Sequence, residues 1–294
     1  MGGYQERAGR VQFLYETADF NALLNLHSRN YAGTASIFRA NVFTKGSNDL
    51  NENYDRDTVY YDATVNNPQE YDSWGGSLKF DFMFDDMTLT SISSYETASG
   101  FSQSDVDGGT LEGPGFIPFP SSTRDELKDL EQYTQEVRLA SDTTDAFSWQ
   151  VGGFYFDSTF GVNTIGGVID PALVYHGNTS WAVFGQGTYQ IDEKWNVTAG
   201  IRYTDDEKTL STTVPNNDPI KVTDDQISWE LSTNYRLTDK TSVFARVADG
   251  FRAQSIQGRN IAFAEPATVA DAETIMSYEF GVKSDLLQNT LRLN

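Results

Sequence analysis

The 294-residue sequence has no cysteine and only two histidines, His27 and His176. Disulfides and thiolate chemistry are therefore excluded, and no His cluster has metal-ligand spacing. Positive charge is scarce: 21 Lys and Arg face 42 Asp and Glu, a formal net charge of −21. That removes the basic footprint nucleic acid requires. Long apolar runs are missing too. Mean hydropathy is −0.47, and no stretch approaches the ~18 apolar residues of a membrane helix. A Gly-x-Ser-x-Gly elbow and a Walker loop are absent. Gly185-Gln186-Gly187 begins like a dinucleotide loop but has no following glycine and sits inside an alternating segment. No enzymatic activity, catalytic residue, metal or cofactor is expected. The opening residues Met1 to Arg7 show no basic stretch leading into an apolar core, so they do not read as a signal peptide.

What the chain has is a period of two. In Ser180–Asp206, Trp181, Val183, Tyr189 and Ile191 alternate with polar or small residues. After a short turn, Trp195, Val197, Ala199, Ile201 and Tyr203 do the same. Such alternation marks a strand with one apolar face. Six hairpins of this kind predict about twelve strands. They join Arg10–Thr17 to Ala22–Asn30, Ser73–Phe84 to Met87–Thr97, and Gln132–Ala140 to Phe147–Asp157. The Ser180–Asp206 pair is the fourth; Gln226–Leu237 to Thr241–Ala248 and Glu273–Lys283 to Leu291–Asn294 complete the set. Segments 31–72, 98–131, 158–178, 207–225 and 249–272 are rich in Asp, Asn, Gly, Ser and Pro and read as long loops. Short turns at one end and long loops at the other describe an outer-membrane barrel. A barrel strand needs only ~9–11 residues, every second one apolar.

The tryptophans fit two membrane-interface belts. Trp74, Trp181 and Trp229 follow long loops, and Trp149 and Trp195 follow short turns. The opposite face, with Lys79, Asp81, Glu136, Arg138, Arg202, Glu230, Arg236, Glu279 and Lys283, is too charged for a dry core but suits a wet or plugged lumen. Ligand capture falls to the predicted loops, where Arg39, Arg56, Tyr60, Tyr61, Phe116, Phe119, Tyr175, His176, Arg252 and Arg259 supply cations and aromatic faces. Asp49, Asn51, Asn53 and Asp55 alternate like a calcium loop, but Tyr54 and Tyr60 stand where the EF-hand pattern needs Gly and Glu. Solvated acidic loops remain the simpler reading, with divalent ions shared with lipopolysaccharide as the alternative.

Several segments resemble TonB-dependent outer-membrane receptors. They are Gln135-Glu136-Val137-Arg138-Leu139-Ala140-Ser141 followed by Trp149 to Phe156, Ala182 to Gln186, and Ala199-Gly200-Ile201-Arg202-Tyr203-Thr204-Asp205-Asp206-Glu207-Lys208. Val243 to Arg252 and Ser277 to Ser284 continue the likeness. The resemblance implies an all-β, antiparallel transmembrane barrel wall belonging to a 22-stranded barrel. It further implies location in the bacterial outer membrane and TonB-dependent uptake of a scarce ligand such as a ferric siderophore. The expected partners are outer-membrane lipid and lipopolysaccharide, a small-molecule ligand, and the receptor's own plug domain and TonB. No plug and no closing strands are found, so residues 1–294 are expected to be a partial barrel domain. A passive pore of about twelve strands and a soluble all-β binding module are the alternatives.

Overall fold

A computed structural model describes residues 3–35, 39–61, 67–105, 108, 122–141, 146–166, 171–214, 218–288 and 290–293. One antiparallel sheet of twelve strands dominates it. In chain order the strands are β1 (Tyr4–Glu16), β2 (Phe20–Thr34), β3 (Pro68–Phe84), β4 (Met87–Asp105), β5 (Ser122–Ser141) and β6 (Phe147–Ile165). Next come β7 (Ala172–Gln190), β8 (Trp195–Val214), β9 (Ile220–Thr238) and β10 (Thr241–Arg252). The small ribbon of β11 (Ser255–Gln257) and β12 (Thr268–Ala270) follows, then β13 (Glu273–Leu286) and β14 (Leu291–Leu293). Each strand of the large sheet pairs with its sequence neighbours, β10 passing directly to β13.

All six predicted hairpins form, and their short connections lie at one end of the sheet, here called the turn end. Local chemistry sets these turns. The Asp192 carboxylate accepts from the backbone amides of Lys194 and Trp195 at 2.7 and 3.0 Å, an Asx turn that reverses the chain between β7 and β8.

Two of the predicted loops are much shorter than expected. Segments 158–178 and 207–225 are mostly strand, because β6 to β9 run on to Ile165, Ala172, Val214 and Ile220. The strands reach 20 residues, about twice the ~9–11 of a membrane crossing. Their distal halves lack the regular apolar alternation, because polar residues such as Asn163, Thr179 and Ser211 interrupt it while a few apolar ones bury inward, yet backbone pairing continues. Side-chain ladders support the pairing: Thr164 donates to Asp125 at 2.7 Å, Asn163 to Glu126 at 3.0 Å, and Thr179 to Asp157 at 2.8 Å. Register shifts at Ala98/Gly100 in β4 and Lys128/Glu131 in β5, with Asp129 at φ 48°, mark where two strands change character; such bulges add local twist.

Candidate functional site

The pleat sorts the sheet into an apolar and a charged face. On the apolar face, aromatic side chains from six consecutive strands form one row: Trp74, Tyr95, Tyr133, Tyr155, Trp181 and Tyr203. Ring centroids lie 5.6 Å apart for Trp74–Tyr95, 6.3 Å for Tyr133–Tyr155 and 5.5 Å for Trp181–Tyr203. The row steps two residues toward the turn end at three of its five strand crossings and stays in register at the other two. With ~3.3 Å along and ~4.8 Å between strands, that offset corresponds to strands tilted by about 40°, within the range of closed barrels. Trp229, two residues beyond the Tyr203 partner Ile227, continues the stepping.

A second row runs near the turns. Phe20 stacks with Phe80 and Phe82 at 5.7 and 4.9 Å, Phe147 pairs with Tyr189, and Trp195 meets Tyr235 edge-on at 6.4 Å. Trp149 stands two residues inside this row, opposite Gly187. Trp74, Trp181 and Trp229, expected where strands begin after long loops, lie instead well inside β3, β7 and β9. Between the rows, Val137, Val151, Val183, Ile201 and Leu231 are all exposed.

The opposite face carries ion pairs two residues apart on single strands: Lys79–Asp81 at 2.8 Å, Arg138–Glu136 at 3.2 Å and Lys208–Asp206; beyond the bulges of β4 and β5, Arg124–Glu126, at 2.8 Å, stands instead on the side of the aromatic row, opposite Gln103 and Phe101. Arg246 bridges to Glu230 on the neighbouring strand at 2.7 Å. The Arg202 guanidinium lies 5.7 Å from both the Phe154 and Phe184 rings. His27 Nε2 is 2.9 Å from the Glu96 carboxylate.

At the distal end, the segment after β10 folds back across this charged face. The Gln254 amide donates to Asp224 of β9 at 2.6 Å. At Gly258 a Cβ would lie 2.6 Å from Leu210, 3.0 Å from Val174 and 3.1 Å from His176 Nε2, so only glycine allows this approach. The following 3-10 turn, Arg259–Phe263, buries Ile261 and Ala262 against Ala172, Val174 and Leu210, the hydrophobic cluster of the described residues. Arg259 then reaches Asp125 of β5 at 3.5 Å. The His176 ring stacks on Phe160 at 4.9 Å, and burial holds its pKa below the ordinary 6.5. Glu126 is held below the usual carboxylate range by the Asn163 amide first and then by the Arg124 guanidinium.

The predicted ligand residues are only partly brought together. His176 and Arg259 meet at the folded-back segment. Tyr175 and His176 are strand residues rather than loop residues, and as neighbours in β7 they take opposite faces. Tyr175 covers Gly161, its ring 2.9 Å from where a Cβ would stand. Arg252 ends β10 and pairs with Glu273 at 3.0 Å. In the first loop, Arg39 donates to the Arg56 and Thr58 carbonyls at 2.7 and 3.4 Å and lies 5.3 Å from Tyr54. It clasps its own loop. Asp55, of the acidic alternation, accepts from the Asp57 and Thr58 amides, the first of these chiefly lowering its pKa. Tyr60 and Tyr61 are half-buried, and Phe116 and Phe119 lie outside the described residues. Among these residues no group of three or more His, Asp or Glu is placed to hold a metal. Sequence reasoning missed Asp125, Asp224 and Gly258. Only the glycine carried a local signal.

Comparison with known proteins agrees with this architecture. The family described as "TonB dependent receptor-like, beta-barrel" matches residues 4–294. The pesticin receptor of Yersinia pestis is 27% identical over 138 residues, covering 42% of this chain and 20% of that protein. In fold, the chain is similar to the ferric yersiniabactin uptake receptor FyuA from Yersinia pestis, with TM-score 0.77 and 18% identity, over 97% of this chain and 43% of that one. BauA, the ferric preacinetobactin receptor from Acinetobacter baumannii, gives TM-score 0.71 at 13% identity, over 96% and 45%. The chain thus spans about a fifth of the curated relative and less than half of the solved receptors.

Proposed function

The chain belongs to the TonB-dependent receptor-like β-barrel family, and from that membership we propose that it forms part of the wall of an outer-membrane importer for a ferric siderophore-type chelate. The carrying observation is the apolar face bounded by two aromatic rows. Eight residues separate Trp181 from Tyr189 and Trp195 from Tyr203. At ~3.3 Å per residue and about 40° of tilt that is roughly 20 Å of height, near the ~25 Å apolar band of such barrels. In this reading the rows are the membrane-interface belts, the apolar face meets lipid, and the charged face lines the lumen. The turn end is periplasmic, and lipopolysaccharide surrounds the outer row.

Residues 1–294 then contribute twelve strands to a 22-stranded barrel. The lumen wall of paired charges, cationic and anionic in turn, offers polar contacts to a plug domain, through which TonB would act. Arg259 and His176, at the folded-back segment, stand where a ligand entering the lumen passes. A guanidinium there suits an anionic chelate. Arg39, Arg56, Tyr60, Tyr61, Phe116, Phe119 and Arg252 belong to the surrounding loops, while Tyr175 faces outward and is assigned no ligand contact.

The test is uptake of radiolabelled ferric chelates by cells whose sole importer carries this barrel. Uptake should stop when TonB is deleted or the proton gradient is collapsed. Uptake that persists without TonB would replace this reading with a passive pore.

A further inference from the structure

The apolar face is interrupted at one place. Along β7 its positions run Trp181, Val183, Gly185, Gly187, Tyr189, so two successive outward positions have no side chain. Beside them in register stand Val151 and Trp149 of β6, and Ile201 and Ala199 of β8. The result is a furrow of about 580 Å³ along β7, walled by those four residues. Phe147 lays its ring over Gly187, 2.9 Å from where a Cβ would be, and so bounds the furrow at its turn end. Val183, 52% exposed, closes the other end.

We propose that this furrow seats one acyl chain of a phospholipid from the leaflet on the turn side. The inference rests on the membrane reading above. Four observations choose this occupant. The floor is glycine backbone whose amides and carbonyls face ladder partners on both sides, so nothing there calls for a polar ligand. The furrow lies between the two aromatic rows, where its surroundings are hydrocarbon. Its walls are two strand spacings apart, about 10 Å, too narrow for a transmembrane helix about 10–12 Å across to enter. Gly185 stands midway between Trp181 and Tyr189 and Gly187 nearer Tyr189, which places the turn-side half of the furrow in the periplasmic leaflet and hence against phospholipid rather than lipopolysaccharide. Left empty, the walls would forfeit dispersion contacts, whereas a fitted chain is held on three sides and exchanges more slowly than lipid on the flat surface.

The full-length receptor, stripped of bulk lipid in detergent and weighed by native mass spectrometry, should retain one phospholipid. Gly185→Leu should release it: its Cβ would meet only Val151 at 3.5 Å and the Gln150 carbonyl at 3.8 Å, so the substitution fits without displacing the wall. Ala199→Phe fills the same furrow from β8 and should act alike. Ala245→Leu, on the same face at β10, should leave the lipid bound. A photo-crosslinker at position 199 should capture phospholipid. No retained lipid, retention unaffected by both filling substitutions, or capture of a protein would each overturn the proposal. Heat-modifiable gel mobility and TonB-dependent uptake, measured on the same samples, keep that failure distinct from failure of the membrane reading.

Discussion

The two halves of each long strand obey different rules. In β7 and β8 the turn-side half, Trp181–Tyr189 and Trp195–Tyr203, presents an apolar face outward and, apart from Phe184 beside Arg202, polar or small side chains inward. The distal half of the same strands keeps the same ladder but reverses the economy of its faces. Tyr175 and Ser211 point one way, while Val174, His176 and Leu210 turn inward and bury under the segment at 255–263. Backbone pairing is indifferent to this change. Alternation reports what solvent each face meets, and pairing continues wherever neighbouring strands can satisfy their amides. On the membrane reading proposed above, the outward face of the turn-side half is given over to lipid, which leaves ligand contacts to the inward face and the distal end.

The largest effect should come from putting charge into the lipid-facing half. Leu231→Arg lies between the rows on β9, where arginine near the bilayer midplane costs about 2–4 kcal/mol. Thr223→Arg, eight residues away on the same face of the same strand, should change stability by less than about 0.5 kcal/mol, as exposed surface substitutions do. Denaturant-driven folding of the receptor into lipid vesicles measures both. Equal costs would mean the two halves meet the same solvent, and the division would fall.

That division also explains what could be read from the residues. The hairpins of the turn-side halves were legible because a single apolar face on a strand writes itself as a period of two. Residues 158–165 and 172–178 were not, because Ser158, Thr159, Asn163 and Asn178 read as loop composition while they in fact fill ladder positions opposite Asn178, Gly177, Leu173 and Ser158. Charged lumen residues such as Arg138 and Arg202 announced a wet face. The folded-back segment gave no such notice: Asp125 and Arg259 are distant in sequence and meet only through the fold. Arg39 was recognisable as a cation but not as one consumed by its own loop's carbonyls.

The next effect lies in the distal half. Gly258→Leu places a side chain where Leu210, Val174 and His176 already stand, and overpacking of this kind costs about 1–3 kcal/mol. Amide exchange across residues 255–263 should accelerate accordingly, with the turn-side halves of β7 and β8 unchanged. Acceleration in both halves would show that they unfold together.

A pH effect should follow from His176. Burial depresses its pKa, so the docked segment favours the neutral ring. Docking is then at full strength above the free imidazole's 6.5 and weakens as pH falls below it, until the lower docked pKa is passed. Exchange at 255–263, corrected for intrinsic rates, should quicken between pH 7 and pH 5 in the native chain. His176→Phe keeps the ring stacked on Phe160 and should abolish that dependence.

The smallest stability effect belongs to Arg259. Its contact with Asp125 at 3.5 Å joins side chains 53% and 34% exposed, and exposed pairs contribute about 0–1 kcal/mol, less as salt rises. Arg259→Ala should therefore loosen the segment slightly while lowering affinity for an anionic chelate more. Asp125→Asn separates the two roles: it frees the guanidinium from its partner, so ligand affinity should hold or rise even as the segment loosens. If both substitutions weaken ligand binding equally, Arg259 acts by holding the segment in place, and direct contact with the ligand is lost as an explanation.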